Sequence, residues 1–264
     1  SITPISSTDS SNNGLLVIYS SGVPFTPNLQ IQNDSILVNA TGGYGVNIDS
    51  YSNISGTFNI SNNYLKHLAG GGADILLAGL EDALLYANTI REWSYSVYAY
   101  SSSIRLWANY INSTISDHQL WGESYSVFDL SSNAGGNNTI LTNTGRCIKV
   151  DASYFDTHSG GNYFVKQDTS VSYFFDGYFP SNSYSTNQDA RGNCFFTGLG
   201  NPHLDSAKIK FNVKLPNQTI VNFRLLAFGS CGDAPSFSSN TFEKETLSKE
   251  LYSQKSFVEK KLKI

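Results

Sequence analysis

The densest ionisable cluster in the 264 residues is Arg146, Lys149, Asp151, Asp156 and His158. Cations beside carboxylates and an imidazole suit a sugar acid: the cations neutralise a uronate carboxylate, and a base then removes its C5 proton. If the segment is an extended strand, Lys149 and Asp151 share one face while Ile148 and Val150 point inward. Cations and a carboxylate then meet on an outer wall. A solvated charged face explains the same residues without catalysis and is the reading adopted. Asp117, His118 and Glu123, near Trp121, form a second, weaker grouping of the same kind.

Other chemistries lack their residues. The sequence contains no Gly-rich phosphate loop, nucleophile elbow, Cys-x-x-Cys or paired-His metal spacing, so neither a cofactor nor a metal is expected. Net charge is -4 with a pI near 5.5, which provides no polycationic face for nucleic acid. The longest apolar run, Ile75 to Leu80, stops at Glu81 and Asp82, far short of the roughly 18 residues a membrane-spanning helix needs. Only 14% of residues are charged, and 38 Ser, 17 Thr and 26 Asn supply most of the polarity. That surface suits an acidic or otherwise harsh exterior.

Aromatic residues are a second binding signal. From Trp93 to Tyr100, strict alternation puts Trp93, Tyr95 and Val97 on one side and Tyr98 and Tyr100 on the other, so some rings face outward. Trp121 and Tyr125 continue the stripe one repeat later. Exposed Tyr and Trp stack on sugar faces or anchor protein contacts.

The element that positions these residues is a repeat. Asn followed by Tyr or Thr and a large apolar residue occurs at Asn63-Tyr64-Leu65, Asn88-Thr89-Ile90, Asn109-Tyr110-Ile111, Asn138-Thr139-Ile140 and Asn162-Tyr163-Phe164. The intervals are 25, 21, 29 and 24 residues. Alternating stretches precede the tripeptides, as in Gly45-Val46-Asn47-Ile48-Asp49, and Gly, Ser and Asn clusters mark the corners. A β-sandwich repeats its turns every 8 to 12 residues or so and does not require one side chain at one corner. The longer period predicts an all-β chain: a right-handed parallel β-helix of about five to six coils. On stacked coils the Asn side chains bond to each other in a ladder, and the apolar residue two places later points inward. Ile75 to Ile90, although readable as an amphipathic helix, is assigned to a coil because it ends in Asn88-Thr89-Ile90.

From about Gly14 to Val165 these coils resemble the right-handed β-helix repeats of the NosD-like and carbohydrate-binding/sugar-hydrolase group. The resemblance implies an extracytoplasmic protein that presents a long flat or grooved face, often to saccharide. Tyr154-Phe155-Asp156-Thr157-His158 is similar to the Asp-Pro-His motif of alginate-type epimerases and lyases, but departs from it at Thr157. Asn47-Ile48-Asp49 is similar to the first carboxylate motif of polygalacturonase-type hydrolases, whose further acids and Gly-His-Gly are not here.

Four segments follow: a flexible lead over 1–13, the β-helix over 14–165, an aromatic-rich cap with a hairpin over 166–240, and a charged amphipathic tail over 241–264. The hairpin is placed at Lys208 to Val213 and Thr219 to Phe228, around Pro216-Asn217. The tail, with Leu247, Leu251, Val258 and Leu262 near one helical face, is a docked terminal helix or a contact for a partner or membrane surface. Cys194 and Cys231 are expected to form a disulfide, leaving Cys147 as a small buried hydrophobe. A start at Ser1 without Met reads as a mature exported product. Seven sequons, Asn33, Asn39, Asn53, Asn59, Asn112, Asn137 and Asn217, permit glycosylation, though composition alone predicts about five.

The expected function is that of a secreted or cell-surface, non-catalytic protein for adhesion, glycan binding or envelope or filament assembly. Its partners would be a glycan or protein surface, or copies of itself. The alternative is a polysaccharide lyase, epimerase or hydrolase acting on uronate-containing glycans through the Arg146 to His158 cluster.

Overall fold

The computed structural model describes residues 15–19, 26–38, 43–67, 72–91, 95–113, 118–143, 145–166, 173–197, 209–226 and 231. These residues form strands and turns, with no helix among them. Sheet I stacks β1 (Leu15–Tyr19), β4 (Tyr44–Ile54), β7 (Ala73–Leu80), β10 (Tyr95–Tyr100), β13 (His118–Glu123), β16 (Arg146–Asp151), β19 (Tyr173–Tyr178) and β22 (Lys210–Lys214). Sheet II stacks β2 (Asn28–Gln32), β5 (Thr57–Ser61), β8 (Ala83–Tyr86), β11 (Ser103–Trp107), β14 (Val127–Asp129) and β17 (Tyr154–Asp156). Sheet III stacks β3 (Ser35–Val38), β6 (Tyr64–His67), β9 (Thr89–Arg91), β12 (Tyr110–Ser113), β15 (Thr139–Thr142), β18 (Tyr163–Lys166) and β21 (Cys194–Thr197). A small fourth sheet pairs β20 (Asn187–Asp189) with β23 (Asn222–Arg224).

Each of the three large sheets takes every third strand, and all their pairings are parallel. The chain is therefore a parallel β-helix. Segment 75–90 is a coil within it, contributing β7, β8 and β9.

The Asn residues make the ladder the repeat implies. Backbone N and Nδ2 of Asn63 both donate to Oδ1 of Asn88, at 3.1 Å each. The same pair of bonds links Asn88 to Asn109, Asn109 to Asn138, and Asn138 to Asn162. Each Nδ2 also donates to a backbone carbonyl of the preceding coil, Ile31 for Asn63 and Leu85 for Asn109. All five side chains are buried, so the ladder satisfies groups that would otherwise cost about 1–3 kcal/mol each. The preceding residue turns the corner with positive φ: 55° at Asn62, 52° at Ala87, 54° at Ala108 and 56° at Asn137. For the alanines this conformation costs roughly 1–2 kcal/mol, which the ladder bonds offset.

A second ladder runs along the corner between sheets I and II. Leu80 N donates to Ser102 Oγ, Ser102 N to Ser126 Oγ and Ser126 N to Ser153 Oγ, at 3.0 to 3.1 Å. Inside the cylinder, apolar residues stack in register. Val46, Ile75, Val97, Leu120 and Ile148 form one column, and Ile36, Leu65, Ile90, Ile111, Ile140, Phe164 and Phe195 another. Where Phe128 fills the interior, its neighbour is Gly122, whose hypothetical Cβ would lie 3.0 Å from that ring.

Parallel stacking continues beyond Val165, where the tripeptide fades from the sequence. Strand β19 pairs with β16, β21 with β18, and β22 with β19. Asn193 extends the ladder, accepting from Asn162 N and Nδ2 at 3.1 and 2.8 Å. Its next residue is Cys194, whose side chain forms the expected disulfide with Cys231 in place of the usual Tyr or Thr. The chain does reverse around Pro216-Asn217, with Leu215 N bonded to Thr219 O and Val221 N to Val213 O. Beyond the turn, however, β23 leaves the hairpin and pairs in parallel with β20. Cys147 is buried and unpaired, as a small core residue. Segments 1–13 and 241–264 lie outside the described residues.

Candidate ligand-binding face

The outer wall of sheet I gathers most of the residues singled out by their chemistry. In β10, β13 and β16 the first, fourth and sixth residues face out, while the second, third and fifth are buried. The strands therefore bend between the second and third positions, where Ser96 and Val97 both turn inward. Strict alternation placed Tyr95 with Val97 and opposite Tyr98 and Tyr100. The bend instead brings Tyr95, Tyr98 and Tyr100 to one face.

The fourth-position column runs Tyr98, Trp121, Lys149, Asp176, Asn212 on successive rungs. The Tyr98 and Trp121 rings stack with centroids 4.8 Å apart at 28°, matching the roughly 4.8 Å rung spacing. Tyr95 packs on Trp121 from the neighbouring column at 4.8 Å. Lys149 Nζ lies 5.0 Å from the Trp121 centroid on the following rung, in cation–π range. Trp121 thus has a ring on one side and an ammonium on the other. Its indole N–H donates to Asp151 Oδ2 at 3.2 Å, and Lys149 Nζ pairs with the same oxygen at 3.3 Å. Arg146 pairs with Asp176 at 3.2 Å, and Asn212 Nδ2 donates to Asp176 at 2.7 Å.

The sixth-position column carries Tyr100, Glu123, Asp151 and Tyr178 in register. Tyr98 Oη donates to Glu123 Oε2 at 2.7 Å. Burial, with that bond and the Glu123 charge, pushes the Tyr98 phenol well above its ordinary range. Tyr100, Tyr178 and the corner residue Tyr125 remain exposed. Trp93 lies outside the described residues.

The ionisable cluster is divided. Arg146, Lys149 and Asp151 stand on the sheet I wall, whereas Asp156 ends β17 of sheet II and His158 occupies the following turn. His158 Nδ1 lies 3.2 Å from both Asp156 oxygens, and its backbone N donates to Oδ1 at 2.9 Å. That is a local turn contact. His118 is on the sheet I wall beside Tyr95, with ring centroids 6.0 Å apart. No group of three His, Cys, Asp or Glu among the described residues could hold a metal.

Among the sequons, Asn33, Asn53, Asn137 and Asn217 are exposed, with Asn33 and Asn137 at positive-φ corner positions. Asn59 and Asn112 are half-buried strand residues, each with a buried Oδ1 that has no hydrogen-bond partner among the described residues. Asn39 lies outside the described residues. Tyr178 and Asp176 carry no sequence signal of this wall, because the regular tripeptides end before them at Asn162-Tyr163-Phe164. The motif Gly192-Asn193-Cys194-Phe195 carried the signal for a further rung.

Fold and surface together define a parallel β-helix with an aromatic and charged sheet face. Compared with known proteins, the chain matches no family model, curated protein or solved structure. No helix among the described residues is long and apolar enough to cross a membrane.

Proposed function

We propose that this chain is an extracellular or cell-surface β-helix protein that binds glycan through the outer wall of sheet I without chemically altering it. The observation that carries this reading is the pair of exposed rings on this wall, Tyr100 and Tyr178, backed by the Tyr95–Tyr98–Trp121 cluster that ring packing and the Lys149–Asp151 pair hold in place. Such a face is rigid and rich in π surface and hydrogen-bonding groups, so a bound polymer orders few protein side chains. The resemblance to NosD-like and sugar-binding β-helix repeats supports a saccharide ligand, and the Cys194–Cys231 disulfide suits an oxidising compartment. Division of the Arg146 to His158 set between two walls supports binding over turnover.

The test is incubation with a panel of polysaccharides, including polyuronates, measuring retention on the polymer and release of new chain ends. Retention without cleavage or epimerisation is expected. Turnover abolished by both Asp156→Asn and His158→Ala would overturn the reading in favour of a uronate-acting enzyme.

A further inference from the structure

The Trp121 ring is already covered by its column neighbours, so the free ring faces lie elsewhere. They lie in the adjoining column. Tyr100 on β10 and Tyr178 on β19 are 48% and 41% exposed, and between them in register stand Glu123 and Asp151. Tyr125, at the corner just after Glu123, is 73% exposed. Its φ of 65° is an unfavourable conformation for a bulky residue, and the exposed ring recovers little by burial.

We infer that the Tyr100–Glu123–Asp151–Tyr178 column is a row of subsites for a linear, uncharged polysaccharide of hexose or N-acetylhexosamine units lying parallel to the helix axis. The inference rests on the glycan-binding reading above and specifies its ligand. Three rungs separate the two tyrosines, about 14 Å, which spans about three pyranose rings of an extended chain. The tyrosines provide stacking faces at the two ends of that span. Between them, Glu123 Oε1 and Asp151 Oδ1 accept no hydrogen bond from the described residues, leaving lone pairs for sugar hydroxyls or an acetamido N–H. Lys149 neutralises Asp151, but no cation pairs with Glu123 among the described residues. The row therefore repels a uronate or sulfated chain.

The experiment is calorimetric titration of the full chain with β-1,4-linked oligomers of glucose and of N-acetylglucosamine, two to six units long, and with oligogalacturonates of the same lengths. Affinity for at least one neutral series is expected to rise steeply up to about three units and then level. Tyr100→Ala and Tyr178→Ala should each weaken binding about tenfold, with an unchanged circular-dichroism spectrum. Tighter binding of oligogalacturonate, or neutral binding indifferent to both substitutions, would overturn the axial row while leaving the glycan-binding reading intact. Failure of every oligomer and polymer to bind would overturn both.

Discussion

Tyr98 Oη donates to Glu123 Oε2 at 2.7 Å, reaching diagonally from one rung of sheet I to the next column of the following rung. Trp121 repeats the diagonal one rung later, with its Nε1 donating to Asp151 at 3.2 Å. These two bonds tie the stacked rings to the carboxylates of the exposed column, so platform and ligand row form one rigid unit.

Tyr98→Phe keeps the ring stack and deletes only the bond to Glu123. The expected loss is about 1–2 kcal/mol of unfolding free energy, since the bond is to an ionised group and half-buried. Urea denaturation measures it. A midpoint identical to wild type would show that the diagonal contributes nothing.

Asn109 lies in the middle of the ladder. Asn109→Ala removes the acceptor used by both Asn88 donors and the donor used by Leu85 O and Asn138 Oδ1. Several buried groups lose partners, so the variant should be destabilised by about 3 kcal/mol or more. Exposed Asn137→Ala, one residue from the ladder, should cost far less. Equal losses in denaturant titrations would contradict a ladder that holds the coils.

The Asp74 carboxyl is fully buried in sheet I, with neither oxygen hydrogen-bonded among the described residues, and desolvation raises its pKa well above the ordinary range. Its folded-state pKa exceeds the unfolded value of about 3.9, so its contribution is fully favourable only below that value and is lost as pH rises toward the folded pKa. Asp74→Asn should therefore be more stable than wild type at pH 7, with the difference shrinking as pH falls toward about 4 and constant below it. Thermal unfolding at both pH values checks this. A difference independent of pH would rule out ionisation as its source.

Much of the fold was legible because one corner repeats one chemical requirement. A buried Asn that bonds along the stack cannot be exchanged for another residue, so it stands out against a variable background at Asn63, Asn88, Asn109, Asn138 and Asn162. Asn193 was obscured because the residue after it, which opens β21 opposite Tyr163, is the disulfide-bonded Cys194 and not Tyr or Thr. The serine ladder was hidden by composition, since Ser102, Ser126 and Ser153 sit among many other serines. For the binding face, alternation placed Lys149 and Asp151 correctly but failed at Ser96 and Val97. A bend that buries two consecutive residues leaves no period in the sequence, so the gathering of Tyr95, Tyr98 and Tyr100 on one wall could be read only from the backbone.

The thiols report on the end of the β-helix. Cys147 is buried, and burial pushes its thiol up to about 12, whereas Cys194 and Cys231 are joined. The folded protein should show no reactive thiol toward Ellman's reagent, and the unfolded, unreduced protein one. Cys231→Ser should lower stability by about 2–4 kcal/mol, as expected for opening a loop of 37 residues. Three reactive thiols in the unfolded, unreduced wild type would contradict the bridge.

The sheet I wall as the binding face is tested most directly by the fluorescence of Trp121. With Trp93→Phe and Trp107→Phe, Trp121 becomes the sole indole, and a neutral polysaccharide retained by the protein can be titrated against its emission. A saturable change in Trp121 emission, following the same isotherm as retention, is the predicted result. Retention of the polymer with Trp121 emission unchanged would place binding on another wall and contradict the account.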